Sequence, residues 1–358
     1  MSGSHGHLPR LIAIFGSGET SSSMTSIHQG LIARVTDPAP DAVMLDTPFG
    51  FQPNADEITA KIVTYFRDRV GCEIGVASLR NAERASNAEF DEFLARLARA
   101  NYVFAGPGSP SYAIRHWRDK RVSHLLREKL ETGGVIAFAS AAAIGLGAYA
   151  LPVYEIYKVG HDPSWIEGLG LLTGLGIRAA VIPHYNNQEG GTHDTRFCYM
   201  GEARLGLLEA MLPDEALILG VDEHTACIID RDAQSVTVRG RGGVTLRKDG
   251  AERRWERTTF PLEELRGPGL VAASPRPETR HSNGETAPVR DPLREQVAPL
   301  VDVLLTLRRE ARREQRFADA DRLRSVLVES GIEVQDTPSG TAWSINAARM
   351  ESAALSSE

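Results

Sequence analysis

Ser140 is the single serine in GGVIAFASAAAIGLGAY, a stretch of mostly small and apolar residues from Gly133 to Tyr149. A serine becomes a nucleophile when it projects from a sharp turn, has a base to take its proton, and faces N–H donors that can meet an oxyanion. A strand-to-helix elbow supplies the turn. Its usual form, G-x-S-x-G, keeps bulky side chains away from the junction. Here Phe138-Ala139-Ser140-Ala141-Ala142-Ala143 offers alanine, the next smallest residue. The same string also suits plain close packing behind a strand, so Ser140 alone does not choose between the two.

Other segments carry polar groups just past an apolar run. FAGPGSPS exposes Gly106-Pro107-Gly108. The Gly108 N–H could face a developing oxyanion, with the Ala141 N–H as second donor, or the segment is an ordinary tight loop. VIPHYNN leaves His184 beyond a strand, a place for a general base or for a surface histidine. ILGVDEHTA leaves Asp222, Glu223 and His224 in the equivalent place, where a carboxylate could orient an imidazole or simply meet solvent. Convergence of all these groups on one sheet edge favours a catalytic reading over any single one of them.

The elements that would position them alternate. RLIAIFGSGE, DAVMLDTPFG, CEIGVASL and NYVFAGPGSPS read as strands entering turns. EITAKIVTYFRDRVG, AEFDEFLARLARA and RVSHLLREKLETGG carry apolar residues at helical spacing, the first and last with glycine stops. AAVIPHYNN and ALILGVDEHTACIID are later strands, with the helix GEARLGLLEAML between them. The expected fold is α/β: a mostly parallel sheet sandwiched by helices, with ligands at the carboxyl ends of the strands. Beyond residue 230, QSVTVRGRGGVTLRKDGAERRWERTTFPL alternates apolar and polar residues and predicts a small antiparallel edge.

The order of strand, Gly/Pro loop, helix and Ser140-Ala141 elbow, then Pro183-His184-Tyr185, then Gly220-Val221-Asp222-Glu223-His224-Thr225-Ala226, resembles the cyanophycinase and dipeptidase E family of serine peptidases. That family has a fold like the class I glutamine amidotransferases. The likeness covers roughly residues 9–230. It implies Ser140 as nucleophile, His184 as general base and Glu223 as its orienting acid, with Gly108 and Ala141 forming the oxyanion hole. The implied reaction is cleavage of a small peptide or isopeptide-like amide through an acyl-enzyme, without a cofactor. The alternative is an inactive scaffold serving as an RNA- or protein-binding accessory module.

Some positions depart from that family's pattern. It usually has glycine where Ala142 stands. The extra stretch NNQEGGTHDTRFCYM brings His193, Asp194 and Arg196. It is either a surface insertion or a substrate-setting segment, in which His193 and Arg196 would contact substrate and Arg196 would meet a carboxylate. Glu155 and Lys158, in LPVYEIYKVG, could reach the pocket or pair with each other. Amidotransferases of the broader fold use a cysteine at the elbow. Serine occupies that place here and no cysteine is near it in sequence, which argues against ammonia transfer from glutamine. His184 and His193 lack helical ligand spacing, and HExxH and CxxC are missing, so no metal is expected.

The 358 residues suit a large domain plus a small one, and 42% hydrophobic content is enough for a core. The expected domains are 1–265, the α/β unit; 266–290, a flexible linker rich in Pro, Ser, Gly and charge; 291–346, a helical hairpin module; and 347–358, a disordered tail. A net charge of −7 does not favour wholesale nucleic-acid binding. Cys72, Cys198 and Cys227 are far apart, as expected in a reducing cytoplasm. MSGSHGHLPR lacks the features of a secretory signal. No run approaches the roughly 20 apolar residues that span a bilayer. A soluble, cytoplasmic protein is the expectation.

Within the last segment, Arg308, Arg309, Ala311, Arg312, Phe317, Ala320-Asp321, Leu323-Arg324, Gly331-Ile332, Asp336-Thr337-Pro338 and Trp343 resemble the extreme C-terminal module of cysteinyl-tRNA synthetases. The synthetase's nucleotide and zinc signatures are missing, so aminoacylation is not implied. Arg309, Arg312, Arg313 and Arg316 recur at helical spacing and form a stripe that could meet RNA phosphates. Glu310, Glu314, Asp319 and Asp321 interleave with them, which also fits a solvated hairpin or a protein-docking appendage.

Overall fold

Continuous apolar runs become strands buried on both faces. In the computed structural model β1 (Arg10–Phe15), β2 (Ala42–Leu45), β3 (Ile74–Ala77), β4 (Tyr102–Ala105) and β5 (Gly134–Ala139) pair in parallel in the order β1-β5-β4-β2-β3. Successive side chains enter opposite cores, because the strand period is two. Ile12, Ile14, Val103, Ile136 and Phe138 share one core with helices α3 (Asn87–Arg99), α4 (Pro110–Trp117) and α5 (Lys120–Thr132). Leu11, Phe15, Tyr102, Phe104 and Val135 share the other with helices α1 (Thr25–Ile32) and α2 (Ala55–Tyr65). A capping box, Ser86 with Glu89, starts α3. This half of the unit is a helix–sheet–helix sandwich.

The rest departs from a single mostly parallel sheet. β6 (Tyr149–Ala150), β7 (Ile166–Glu167), β8 (Ala179–Ile182) and β9 (Leu217–Val221) precede β10 (Thr225–Asp230), β11 (Ser235–Gly240), β12 (Gly243–Lys248), β13 (Ala251–Glu256) and β14 (Thr259–Pro261). β10, β11 and β14 extend the first sheet beyond β1 by antiparallel pairing. A second sheet has the order β13-β12-β9-β8-β6-β7. In it β6, β8 and β9 are parallel to their neighbours within that trio, while β12, β13 and β7 pair antiparallel. The expected antiparallel edge is therefore shared between two sheets. The separation falls at Asp222–His224, where ALILGVDEHTACIID turns from β9 of one sheet into β10 of the other, with His224 at φ 52°.

Strand ends of both sheets meet at Gly16. Its N–H donates to the Thr225 carbonyl (2.9 Å), and its own carbonyl accepts from the His184 N–H (3.2 Å). A Cβ on Gly16 would lie 2.0 Å from the Asp222 carbonyl oxygen, so only glycine permits this approach. Register aligns the ends: Phe15 lies opposite both Ala139 of β5 and Ala226 of β10. The residues just beyond β1, β5, β8 and β9 are thereby gathered at one rim.

The structure describes residues 8–36, 39–190 and 193–267, then Val301, Leu304, Leu323 and Leu327 and the strands Ile332–Thr337 and Gly340–Ile345. The chain divides into two units, Met1–Ser274 and Pro275–Glu358. In the second, Val301, Leu304, Leu323 and Leu327 are helical, and the two strands pair antiparallel. Arg309, Arg312, Arg313 and Arg316, the tail, and all but the first two positions of the expected linker lie outside the described residues. Among the described residues no helix is long and apolar enough to cross a membrane.

Candidate active site

Ser140 follows β5 and opens a short helix, Ser140–Gly145. Its φ of 49° is a strained value for a residue with a Cβ, as a sharp elbow demands. The turn forms with alanine at 142: Ala142 is fully buried, and its N–H donates to the Gly106 carbonyl at 3.4 Å. Elbow and Gly/Pro loop are thus tied together. Gly108 has φ 143°, and a Cβ there would lie 2.0 Å from the Pro48 carbonyl oxygen. Gly108 and Ala141 line the same cavity as Ser140.

Ser140 Oγ lies 3.0 Å from His184 Nε2, and His184 Nδ1 lies 2.8 Å from Glu223 Oε1. Three distant chain positions form one hydrogen-bonded series. His184 also has positive φ, 50°, and its backbone is held by Gly16. The His184 and Glu223 side chains are 18% and 24% exposed, so the series is sheltered without being sealed. His184 in turn holds the Glu223 carboxyl below its ordinary range, with a further contribution from the Asn187 amide.

Sequence reasoning passed over several partners. Asn187 Nδ2 donates to Glu223 Oε1 (3.1 Å), and Asn186 Oδ1 accepts from the Glu223 N–H (2.8 Å). Both belong to the quoted string VIPHYNN, and their amides were the available signal. Glu19, at the end of GSGE, is buried beside Gly106: its Oε1 would lie 3.5 Å from a Cβ there. Burial pushes its carboxyl up, opposed by its own N–H and by His184 and His224. No cysteine is near Ser140 in sequence, yet Cys198 lines the cavity in space. Burial pushes its thiol up to about 12, which keeps it protonated and poorly nucleophilic.

The cavity holds about 450 Å³. Tyr154, Tyr157 and Tyr199 contribute walls, with Ile144 and Val153 between them and Lys158 and His193 among the polar groups. Arg196 is not among the lining residues. It forms a two-pronged pair with Asp194 (2.9 and 2.8 Å), which holds the Asp194 carboxyl well below the usual range. Glu155 accepts from Ser111 Oγ and does not pair with Lys158. Among the described residues no cluster of His, Cys, Asp and Glu is arranged to hold a metal ion.

The chain shares its fold with a solved peptidase. The crystal structure of a peptidase from an acI-B1 actinobacterium matches with a TM-score of 0.58 and 22% identity, covering 72% of this chain and 98% of that one. A putative peptidase E protein from Listeria monocytogenes also matches, at a TM-score of 0.44 and 12% identity, over 65% of this chain and 100% of that one. The likeness to the actinobacterial peptidase is one of fold. No protein-family profile matches the chain. Among curated proteins, the cysteine–tRNA ligase of Maridesulfovibrio salexigens is 47% identical over 45 residues, 13% of this chain and 9% of the ligase. That of Chlorobaculum tepidum is 52% identical over 42 residues, 12% of this chain and 9% of the ligase. The chain therefore spans about a tenth of the length of the curated relatives it matches.

Proposed function

We propose that the N-terminal unit is a serine hydrolase that cleaves amide bonds of small peptides or isopeptide-like substrates through an acyl-enzyme. The observation that carries this reading is the hydrogen-bonded series Ser140 Oγ–His184–Glu223, at 3.0 and 2.8 Å. With Glu223 ionised, His184 carries its proton on Nδ1 and presents the Nε2 lone pair to the Ser140 hydroxyl. Oγ attacks the carbonyl carbon as Nε2 takes the hydroxyl proton. The carbonyl oxygen becomes an oxyanion, and the Gly108 and Ala141 N–H groups are its donors. Collapse expels the amine, which takes the proton from Nε2 and leaves an ester on Oγ. Water attacks that ester with the same base and releases the acid. Glu223 stabilises the imidazolium in both halves. We assign substrate contact to His193, which lines the cavity, ahead of Arg196, which Asp194 holds.

A mass-detected panel of dipeptides and isopeptides tests this. The expected result is repeated turnover that releases amine and acid in equal amounts. Turnover that survives in Ser140→Ala defeats the reading.

A second reading concerns the ligase-like stretch, and is favoured by 47% identity over 45 residues to a cysteine–tRNA ligase. It assigns RNA contact to Arg309, Arg312, Arg313 and Arg316, with the α/β unit active or inactive beside it. Binding of a transfer RNA transcript that weakens as salt rises supports it, and salt-independent or undetectable binding opposes it.

A further inference from the structure

A larger cavity, of about 870 Å³, is lined by the helix Thr25–Ile32 and by strands β10 and β11. At one end the lining residue Ser23 has its Oγ 3.5 Å from His224 Nδ1, and His224 directly follows Glu223 in the chain. The Arg241 N–H donates to the His224 carbonyl at 2.9 Å. Register fixes the groove's direction. Arg239 and Gly240 lie opposite Ala226 and Thr225, at the rim where β1 and β5 end. Ser235 lies opposite Asp230, at the far end of β10. The groove therefore runs the length of β10, roughly 17 Å at strand rise.

Two of the three arginines that line it, Arg239 and Arg257, have no carboxylate partner among the described residues. Arg10, Arg67, Arg96 and Arg99 are each matched by a carboxylate, and at the far end of the groove Arg34 is matched by Asp230 at 3.0 Å. Arg239, Arg241 and Arg257 are exposed and have no carboxylate partner among the described residues. Arg257 takes φ 45°, and its Nε donates to the Gly240 carbonyl at 3.2 Å, which holds its guanidinium at the Gly240 end. A chain of net charge −7 thus presents three unmatched cations around Gly240. Hydroxyls of Ser23, Thr237 and Thr259 add donors along the wall. Among the described residues no aromatic ring lines it, so it offers no stacking platform for bases. Arginines with hydroxyls and no ring suit phosphate oxygens, which position a strand without reading its sequence.

We infer that this groove binds the phosphodiester backbone of an RNA strand and leads it to the rim at His224. The inference rests on the RNA reading above. It places part of the RNA contact on the α/β unit itself.

The test uses the full chain and a fluorescently labelled transfer RNA transcript, followed by anisotropy across a salt series. Each phosphate neutralised on a single strand contributes a slope of about 0.7 in log affinity against log salt. The double charge reversal Arg239→Glu with Arg257→Glu is expected to weaken binding about tenfold or more and to flatten the slope by roughly 1.4. Arg67→Glu, at an exposed helical position outside the groove, is expected to leave binding unchanged. Unchanged affinity and slope in the double variant, or no salt-dependent binding by the wild type, overturns the proposal. Equal binding of inorganic phosphate and the transcript at matched phosphate concentration overturns it too, because the groove then holds isolated anions rather than a strand. Covalent labelling of Ser140 by a serine-directed probe is read on the same samples. It is expected to be unchanged in the double variant, and its absence from the wild type counts against the hydrolase reading alone.

Discussion

His28 and His184 each have both ring nitrogens in hydrogen bonds, and the two environments ask opposite things of the imidazole. His28 is fully buried among rings, stacked on Phe15 with centroids 4.8 Å apart and edge-on to Phe66 at 5.0 Å. Its Nε2 lies 2.8 Å from the Glu19 carbonyl, an acceptor, so that nitrogen carries the proton. Its Nδ1, 2.7 Å from Tyr102 Oη, accepts a hydrogen bond from the phenol. Burial lowers its pKa from 6.5 to about 4, and His28 is a neutral clamp on the loop that leads back to Gly16. His184 is the other tautomer, with Nδ1–H toward Glu223 and Nε2 open to Ser140. Burial among rings keeps His28 neutral, whereas His184 sits part-exposed beside a carboxylate.

The largest way to break this contrast is Glu223→Gln. The neutral amide no longer stabilises the imidazolium or fixes its tautomer, and kcat/KM is expected to fall by about 10³- to 10⁴-fold with KM little changed. Steady-state kinetics on any hydrolysed amide or ester reads this, and a loss below tenfold would mean that Glu223 does not orient His184.

His28→Leu attacks the clamp. It strands the Tyr102 hydroxyl and the Glu19 carbonyl inside the core, at about 1–3 kcal/mol each. Urea unfolding should show a stability loss of about 2–6 kcal/mol, whereas activity should fall less than in Glu223→Gln. The same residue sets a pH dependence. Its folded pKa is below its unfolded one, so between about 6.5 and about 4 the unfolded chain binds the extra proton. Stability contributed by neutral His28 is therefore full above 6.5 and is lost as pH falls toward 4, by about 3 kcal/mol. The Leu variant should lack that component; an identical acid slope in both proteins would show that His28 does not cause it.

The smallest effect is expected at Cys198. Its buried thiol stays protonated at neutral pH, so Cys198→Ala should leave kcat within about threefold, and iodoacetamide at pH 7.5 should not inactivate the wild type. Rapid inactivation by alkylation would move nucleophilic chemistry toward the thiol.

The residues of the rim could be read from the sequence because each closes an apolar run with a polar group: Ser140 after VIAFA, His184 after AAVIP, Glu223 after ILGVD. The parallel half of the sheet was readable for the same reason, its strands being short and apolar throughout. Pattern could not show that β9 and β10 belong to different sheets. Both lie in one apolar stretch, and the break depends on the left-handed backbone of His224 and on Gly16 wedged against Asp222. Asn187 escaped notice because its role needs the turn in which its N–H returns to the His184 carbonyl at 3.1 Å. Cys198 reaches the cavity through consecutive positive-φ residues, Phe197, Cys198 and Tyr199, a bend that no propensity announces. Arg196 looked available as a cation in sequence, and its neighbour Asp194 takes it in space.

The most direct test is mass spectrometry of the intact protein after exposure to a fluorophosphonate, with peptide mapping of the adduct. The account predicts one adduct, on Ser140, that is lost in Ser140→Ala while the melting temperature is retained. An adduct that persists in that variant, maps to another residue, or fails to form on folded wild-type protein contradicts it.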